Sequence, residues 1–399
     1  MERQNEGIIQ HNLRVFYVVD TFRALWFITS IWVLFERQFL TFSQLTFIES
    51  LLMGMNLLMQ LPTGAFADLF GKRKAMMIGG FLFALGLMIY SRATTFSMFV
   101  LYAIIFGTAE AFIDGTREAL IYDTLREEHK EEQFPFITSK LSMIFQIALS
   151  VATLVGGFIG SFSYVYVIWM TAASFIGVTL VSFFFREPHM DTETFTIANY
   201  IHKTKQGMKE LVKNSHIKKI SLFYVLIGSV SWICVFSLNM ILLTSASFSS
   251  KEIGIAISLG RIFNSFILFG LISKTKFFNK TRTFIVLPIV LAVGLIPILL
   301  LPKWFILLPI IITLFISNAR WNILGRYTNA EFESRNRATA ISALAMVVNL
   351  LYVLVMSVAG IVIEQFGGPR IIYTSLGFIT LFITLPLGIH LAKIHKNEK

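Results

Sequence analysis

Six ionisable side chains stand in stretches that are otherwise apolar. Asp20 and Arg23 are three residues apart in one stretch; Glu110, Asp114, Arg117 and Glu118 follow i, i+4, i+7, i+8 spacing in another. On a helix such spacings place side chains on one face, so each set is an aligned charge cluster. A charge near the centre of a bilayer costs at least ~2.5 kcal/mol on insertion scales, which demands a partner or a task. The chemistry available here is ion pairing and proton exchange. Four acids against two arginines leave two negative charges over, and a buried acid can hold and release a proton. Glu110 and Asp114 are the expected proton carriers, with Asp20, Arg23 and Arg117 around them. Glu118 and Asp123 are expected nearer the inner surface, in a gate.

A second set is less acidic. Arg261 stands near Asn264, and Asn318, Arg320 and Asn322 fall close together. Asn318 and Asn322 share a helix face from which Arg320 is offset, so the three serve either a polar or anionic group or interhelical hydrogen bonds. Trp232, Asn239 and Trp321 either line a site for a flat apolar molecule or act as packing and interface anchors. Trp232, Asn239, Arg261, Asn318, Arg320 and Asn322 are the expected substrate contacts. No histidines have metal-ligand spacing, no Gly-x-x-x-x-Gly-Lys-Ser/Thr loop is present, and no nucleophile–base constellation appears. Neither a metal, a cofactor, an ATPase nor another enzyme is expected.

What positions these residues follows from composition. Of 399 residues, 55% are hydrophobic and only 14% charged, with a mean hydropathy of +0.71. Soluble domains carry about 25% charged residues, so a water-facing surface cannot be built from this chain. Apolar stretches fall at 14–35, 45–67, 75–92, 97–122, 136–160 and 164–185, then at 219–243, 252–272, 283–301, 304–326, 338–363 and 371–392. Each is about the ~20 residues that cross a bilayer. The expectation is an all-α membrane protein of twelve spans: a six-helix half over 1–185, a cytoplasmic linker over 186–218 and a second six-helix half over 219–399. Uninterrupted runs such as Leu299–Leu300–Leu301 argue against the alternating pattern of a β-barrel.

With both termini inside, most of the 34 Lys and Arg residues fall on the cytoplasmic side, as the positive-inside rule requires. That bias accounts for the net charge of +11 without nucleic acid. The first dozen residues are polar and the first span carries Asp20 and Arg23, unlike a signal peptide. The 186–219 stretch reads first as a solvated linker, with an amphipathic helix around Tyr200–Val212 as the alternative. Single Cys234 excludes an intramolecular disulfide. Gly64 with Gly270 and Tyr122 with Tyr327 recur about half a chain apart, a weak sign of duplicated halves.

Between the second and third stretches the chain reads Gly64-Ala65-Phe66-Ala67-Asp68-Leu69-Phe70-Gly71-Lys72-Arg73-Lys74. A basic loop explains the cations but not the glycines and aspartate at fixed spacing. The spacing resembles the signature loop of the major facilitator superfamily, G-x-x-x-D-x-x-G-[RK]-[RK], and with Leu61-Pro62-Thr63 before it looks like bacterial drug-exporter members. The resemblance implies that Gly64, Asp68, Gly71, Lys72, Arg73 and Lys74 form a cytoplasmic gate motif, with Arg73 linked to Asp123. It also implies that the first and fourth spans line a common cavity. Departures are visible: Lys274 and Phe277 replace the aspartate and glycine of the second-half loop, and Gly156-Gly157-Phe158-Ile159-Gly160 lacks the proline of the antiporter motif.

These readings lead to a secondary transporter in the bacterial plasma membrane. It is expected to work as a monomer by alternating access, exporting a small amphipathic molecule or drug against protons. An uptake symporter for a nutrient or anionic metabolite is the alternative in the same fold, and a non-transporting membrane sensor the alternative outside it.

Overall fold

The computed structural model describes residues 7–188, 197–273, 279–333 and 336–397. Lys274 and Phe277 lie outside the described residues. Among the described residues the chain is helical, with no strand. The first helices are α1 (Ile8–Ala24), α2 (Trp32–Glu36), α3 (Phe42–Phe70), α4 (Lys72–Tyr90), α5 (Phe96–Glu127), α6 (Phe134–Gly160) and α7 (Tyr164–Ser182). Then follow α8 (Ile197–Leu211), α9 (Ser215–Ile233), α10 (Asn239–Ser245), α11 (Ser250–Ser273) and α12 (Lys280–Leu295). The chain closes with α13 (Leu307–Ala319), α14 (Gly325–Ala330), α15 (Arg337–Gln365), α16 (Arg370–Ile379) and α17 (Leu385–Asn397).

Ten helical segments among the described residues are long and apolar enough to cross a membrane, and each overlies one of the expected stretches. The stretch expected at 252–272 falls within α11. That expected at 14–35 is not one helix: α1 stops at Ala24, a 3₁₀ turn covers Phe27–Ser30, and α2 restarts at Trp32. Packing explains the break. The Trp26 ring sits edge-on against Phe83, Phe106 and Phe175, at centroid distances of 5.7, 5.5 and 5.5 Å. Backbone groups freed by the break find hydroxyls on α7: Ser174 Oγ donates to the Leu25 carbonyl at 3.3 Å, and the Ile28 amide donates to Thr171 Oγ1 at 3.2 Å. Such replacement partners are what permit irregular backbone at membrane depth. Gly156 of α6 completes the site, because a Cβ there would overlap the Phe27 carbonyl.

The chain divides into two compact units. Unit one comprises Met1–Leu40, Leu51–Tyr200 and Ser249–Ser258; unit two comprises Thr41–Ser50, Ile201–Phe248 and Leu259–Lys399. Three helices therefore cross the division in sequence, α3 after Ser50, α8 after Tyr200 and α11 after Ser258. Unit one is built from long regular helices, and its α5 of 32 residues runs about 48 Å, beyond the hydrocarbon core.

Unit two contains three π-helical turns, at Cys234–Leu238, Arg320–Leu324 and Thr380–Thr384. Each joins two α-helices end to end, and its wider turn re-aims the side chains that follow. The stretch expected as a solvated linker carries α8 instead. Near its end the buried Glu210 carboxylate accepts from Asn336 Nδ2 at 3.3 Å and from the Glu333 amide at 3.4 Å. A buried, hydrogen-bonded acid is what a free linker lacks, so the end of α8 is docked within unit two.

Candidate functional site

The first charge cluster assembles in unit one. Asp20 on α1 is fully buried, with 0% of its surface exposed. Its Oδ1 accepts from Arg23 Nη1 at 3.0 Å and from Arg117 Nε at 2.7 Å, and its Oδ2 accepts from Arg117 Nη2. The two-pronged Arg117 contact is the strong, planar geometry of a guanidinium–carboxylate fork. Helical spacing puts Asp20 and Arg23 on one turn, and the i, i+3 step from Asp114 to Arg117 does the same on α5. Helices α1 and α5 thus meet through the residues that the sequence singles out.

The cluster is tight at one end and loose at the other. Arg23 Nη2 reaches Asp114 Oδ1 at 3.4 Å, and the Asp114 side chain is 55% exposed. Gly115 beside it has nothing within 4 Å of where a Cβ would sit. Arg23 also lies 5.4 Å over the Phe145 ring. Glu110 is half-buried one turn along α5, and Glu118 is exposed. A charged, open face within a membrane helix requires water beside it rather than lipid.

The signature loop is a one-residue turn. α3 ends at Phe70, α4 begins at Lys72, and Gly71 between them has φ +99°, a conformation that side chains disfavour. The Glu187 carboxylate caps the start of α4: Oε1 accepts from the Lys72 amide at 2.5 Å and Oε2 from the Arg73 amide at 3.0 Å. An acid at a helix N-terminus satisfies unpaired amides and meets the positive end of the helix dipole. Lys72, not Arg73, holds Asp123, with Nζ to Oδ2 at 2.6 Å. Arg73 lies 5.6 Å over the Phe183 ring instead. The turn explains the exchange, since Lys72 is buried while Lys74 is exposed. Gly64 lies within α3, and Asp68 is exposed near its end. Glu187 was not foreseen; no spacing signal marks an acid just after a span.

In unit two the expected substrate contacts separate. Asn239 is engaged inside the protein: Nδ2 donates to Thr313 Oγ1 at 3.2 Å, and Oδ1 accepts from Tyr373 OH at 2.7 Å. Arg320 is 2% exposed in the second π turn, 4.5 Å from the Trp321 ring centre and 5.7 Å from that of Tyr224. Among the described residues its buried Nε has no hydrogen-bond partner. Trp321 and Asn322 face outward, and Asn322 Nδ2 donates to the Asn318 carbonyl at 2.9 Å. Trp232 packs on Phe236 at 5.3 Å with its indole N–H buried and unpartnered. Arg261 is half-buried on α11. Arg320 and Trp232 each keep a buried N–H that has no hydrogen-bond partner among the described residues.

Away from the spans, two groups have shifted ionisation. Glu333 beside Lys213 pushes its ammonium up, and Lys130 beside Glu128 holds that carboxyl down.

Comparison with known proteins gives three kinds of likeness. A family model described as Major Facilitator Superfamily matches residues 17–325. An uncharacterized transporter of Buchnera aphidicola subsp. Schizaphis graminum (strain Sg) is 26% identical over 184 residues, 46% of this chain; the match spans only 42% of that relative. Among solved structures, the nucleoside transporter NupG superposes with a TM-score of 0.74 at 15% identity, covering 98% of this chain and 100% of its own. A bacterial homologue of the human lysosomal transporter Spinster gives 0.74 at 16%, covering 99% of each chain. At these identities the structures speak for the fold alone.

Proposed function

The chain belongs to the major facilitator superfamily, and from that membership we propose that it is a proton-coupled secondary transporter that exports a small amphipathic molecule. In this reading twelve spans form two six-helix halves that alternate in access, joined by the 186–218 segment. Both termini face the cytoplasm of a bacterial cell, and the working unit is the monomer. The basic bias of the loops supports that orientation.

The observation that carries the reading is the graded cluster Asp20–Arg23–Asp114–Arg117. Asp20 is locked by two guanidiniums, whereas Asp114 is open and, among the described residues, its ion pair is the 3.4 Å contact to Arg23. Two acids and two arginines balance when all are charged. A proton arriving on Asp114 removes one negative charge and leaves Arg23 to share Asp20 with Arg117. Arg23 then keeps Asp20 as its acid and loses its hold on α5 through Asp114, which ties protonation to the packing of α1 against α5. Glu110, one turn away, is the next acid along the proton's route.

Arg320 favours a second reading, uptake of an anionic metabolite, because its buried guanidinium retains an unpartnered donor. In inverted vesicles, export predicts accumulation of the compound inside and uptake predicts its release. A panel of toxic compounds tested on deletion and overexpressing strains identifies what to load. Asp114→Asn and Glu110→Gln are expected to insert normally and to abolish the substrate-induced proton flux. Undiminished flux in both variants removes this cluster from coupling.

A further inference from the structure

Thr41–Ser50, which includes the first part of α3, belongs to unit two and bonds to α15. Side chains at regular helical steps make the seam. The Ser43 amide and hydroxyl both donate to the Glu364 carboxylate, at 2.9 and 2.6 Å. The Gly360 amide donates to Thr46 Oγ1 at 3.0 Å, and Ser50 Oγ donates to the Val353 carbonyl at 2.9 Å. Positions 43, 46 and 50 fall on one stripe of α3, and 353, 360 and 364 on one stripe of α15. Gly360 is what lets the helices touch, because a Cβ there would overlap the Phe42 carbonyl and Ser43.

Glu49, one helical turn on from Thr46, is buried, with 6% of its surface exposed. Its Oε2 takes the Ser237 hydroxyl at 2.7 Å and the Tyr352 hydroxyl at 3.3 Å, and those two hydroxyls are 2.5 Å apart. Ser237 comes from the first π turn, whose extra residue re-aims that stretch of the helix. Tyr352, the titratable group facing Glu49 from α15, is fully buried beneath the Phe236 ring. Among the described residues no Lys, Arg or His pairs with Glu49, and the π turn offers it only neutral side chains. A neutral carboxyl fits this three-membered hydroxyl network. A carboxylate there is a buried charge with no counter-ion, which proteins avoid by letting water in or by parting the surfaces.

We propose that Glu49 is a proton-binding site whose occupancy holds the α3–α15 seam closed, and whose deprotonation opens it. The coupling role of this site rests on the transporter reading above; the latch itself does not. Ser43, Thr46 and Ser50 are neutral, so within the seam Glu49 and Glu364 are the carboxyls, and Glu364 has the exposed position.

The test uses the full chain in liposomes, with Cys234→Ala removing the one native thiol and Thr46→Cys reporting on the seam through a membrane-impermeant maleimide. The labelling rate, divided at each pH by that of a freely exposed thiol to cancel the thiol's own ionisation, is expected to rise about five-fold or more from pH 6 to pH 9. Glu49→Gln carries no proton to lose, so its labelling stays low throughout. Ser237→Ala removes a donor to the charged form and moves the midpoint up by about one pH unit; this variant decides the matter if Glu49→Gln fails to fold. Labelling that ignores pH with Glu49 present, or that keeps its pH dependence in Glu49→Gln, overturns the latch. Labelling needs no substrate, so Asp114→Asn is expected to leave its pH dependence intact even if the transport reading fails. Proton-driven transport should fall at least ten-fold in Glu49→Gln, and an unchanged rate overturns the coupling role.

Discussion

In unit one, Asp20 takes hydrogen bonds from two guanidiniums, Lys72 holds Asp123, and Glu187 caps α4. In unit two, Glu49 is buried against two hydroxyls and Arg320 against two aromatic rings; no opposite charge pairs with either among the described residues. Glu49 and Arg320 are therefore handled differently from the Asp20 cluster, although unit two also holds pairs such as Lys280 with Glu331. A paired charge repays much of its desolvation through its partner, so it acts as a fastening whose removal strands the other member. A single buried charge has no such return, and the fold would be at least as stable without it. Where such a group persists, its use lies outside stability. The backbone follows the same division, since the π turns that present Ser237 and Arg320 are in unit two, and such turns are frequent at functional sites.

The largest expected effect attacks the paired side. Asp20→Ala strands Arg117 and leaves Arg23 only the 3.4 Å contact to Asp114. Breaking a buried pair by removing one partner costs about 3–5 kcal/mol, which detergent-solubilised protein should display as a large drop in thermal midpoint. Adding Arg117→Leu to Asp20→Ala should recover part of that loss. No recovery would mean that Asp20 stabilises through something other than the fork.

Arg320→Met probes the other side and should change stability with the opposite sign. Replacing buried ionic groups by apolar side chains of similar volume has stabilised proteins by about 1–4 kcal/mol, and Met has the length to lie between Tyr224 and Trp321. The midpoint is expected to rise while substrate transport falls. A destabilised Arg320→Met protein would show that the two rings hold the guanidinium for the sake of the fold, which erases the contrast between the units.

Much of this was legible in the sequence, and the failures have physical causes. Apolar length announced the spans because a bilayer fixes the number of residues needed to cross it. Helical spacing announced the Asp20–Arg23 and Asp114–Arg117 alignments, and the resemblance to the superfamily suggested that spans one and four meet. The break after Ala24 was invisible, since it depends on Thr171 and Ser174 hydroxyls 143 and 149 residues away. Arg73 and Lys72 were exchanged because a one-residue turn at Gly71 decides which cation points inward. Asn239 reads as a binding residue until Thr313 and Tyr373 consume it. Glu49 passed unnoticed because it stands near the start of a span, where an acid usually meets water. The π turns leave no trace in composition or periodicity.

The smallest expected effect tests whether pairing still matters where water competes. Glu128, beyond the end of α5, accepts from Lys130 Nζ at 2.9 Å and from the Ile9 amide at 3.2 Å, tying down the first turn of α1. The Lys130 contact, followed by the Ile9 amide bond, outweighs the slight burial and holds the Glu128 carboxyl below its ordinary range. A carboxyl lowered in the folded state contributes stability that is present above its unfolded pKa, about 4.3. That contribution fades as pH falls through the lower folded value. Amide exchange in the first turn of α1, corrected for its intrinsic pH dependence, should therefore quicken from pH 5 to pH 3. Glu128→Gln should abolish that step while leaving the core of α1, around Asp20, unchanged. Solvent screening keeps the effect small, within the 0–1 kcal/mol of exposed pairs. Should the step persist in Glu128→Gln, the α1 end is held by another acid. Should it exceed the loss in Asp20→Ala, burial is not what separates a strong fastening from a weak one in this protein.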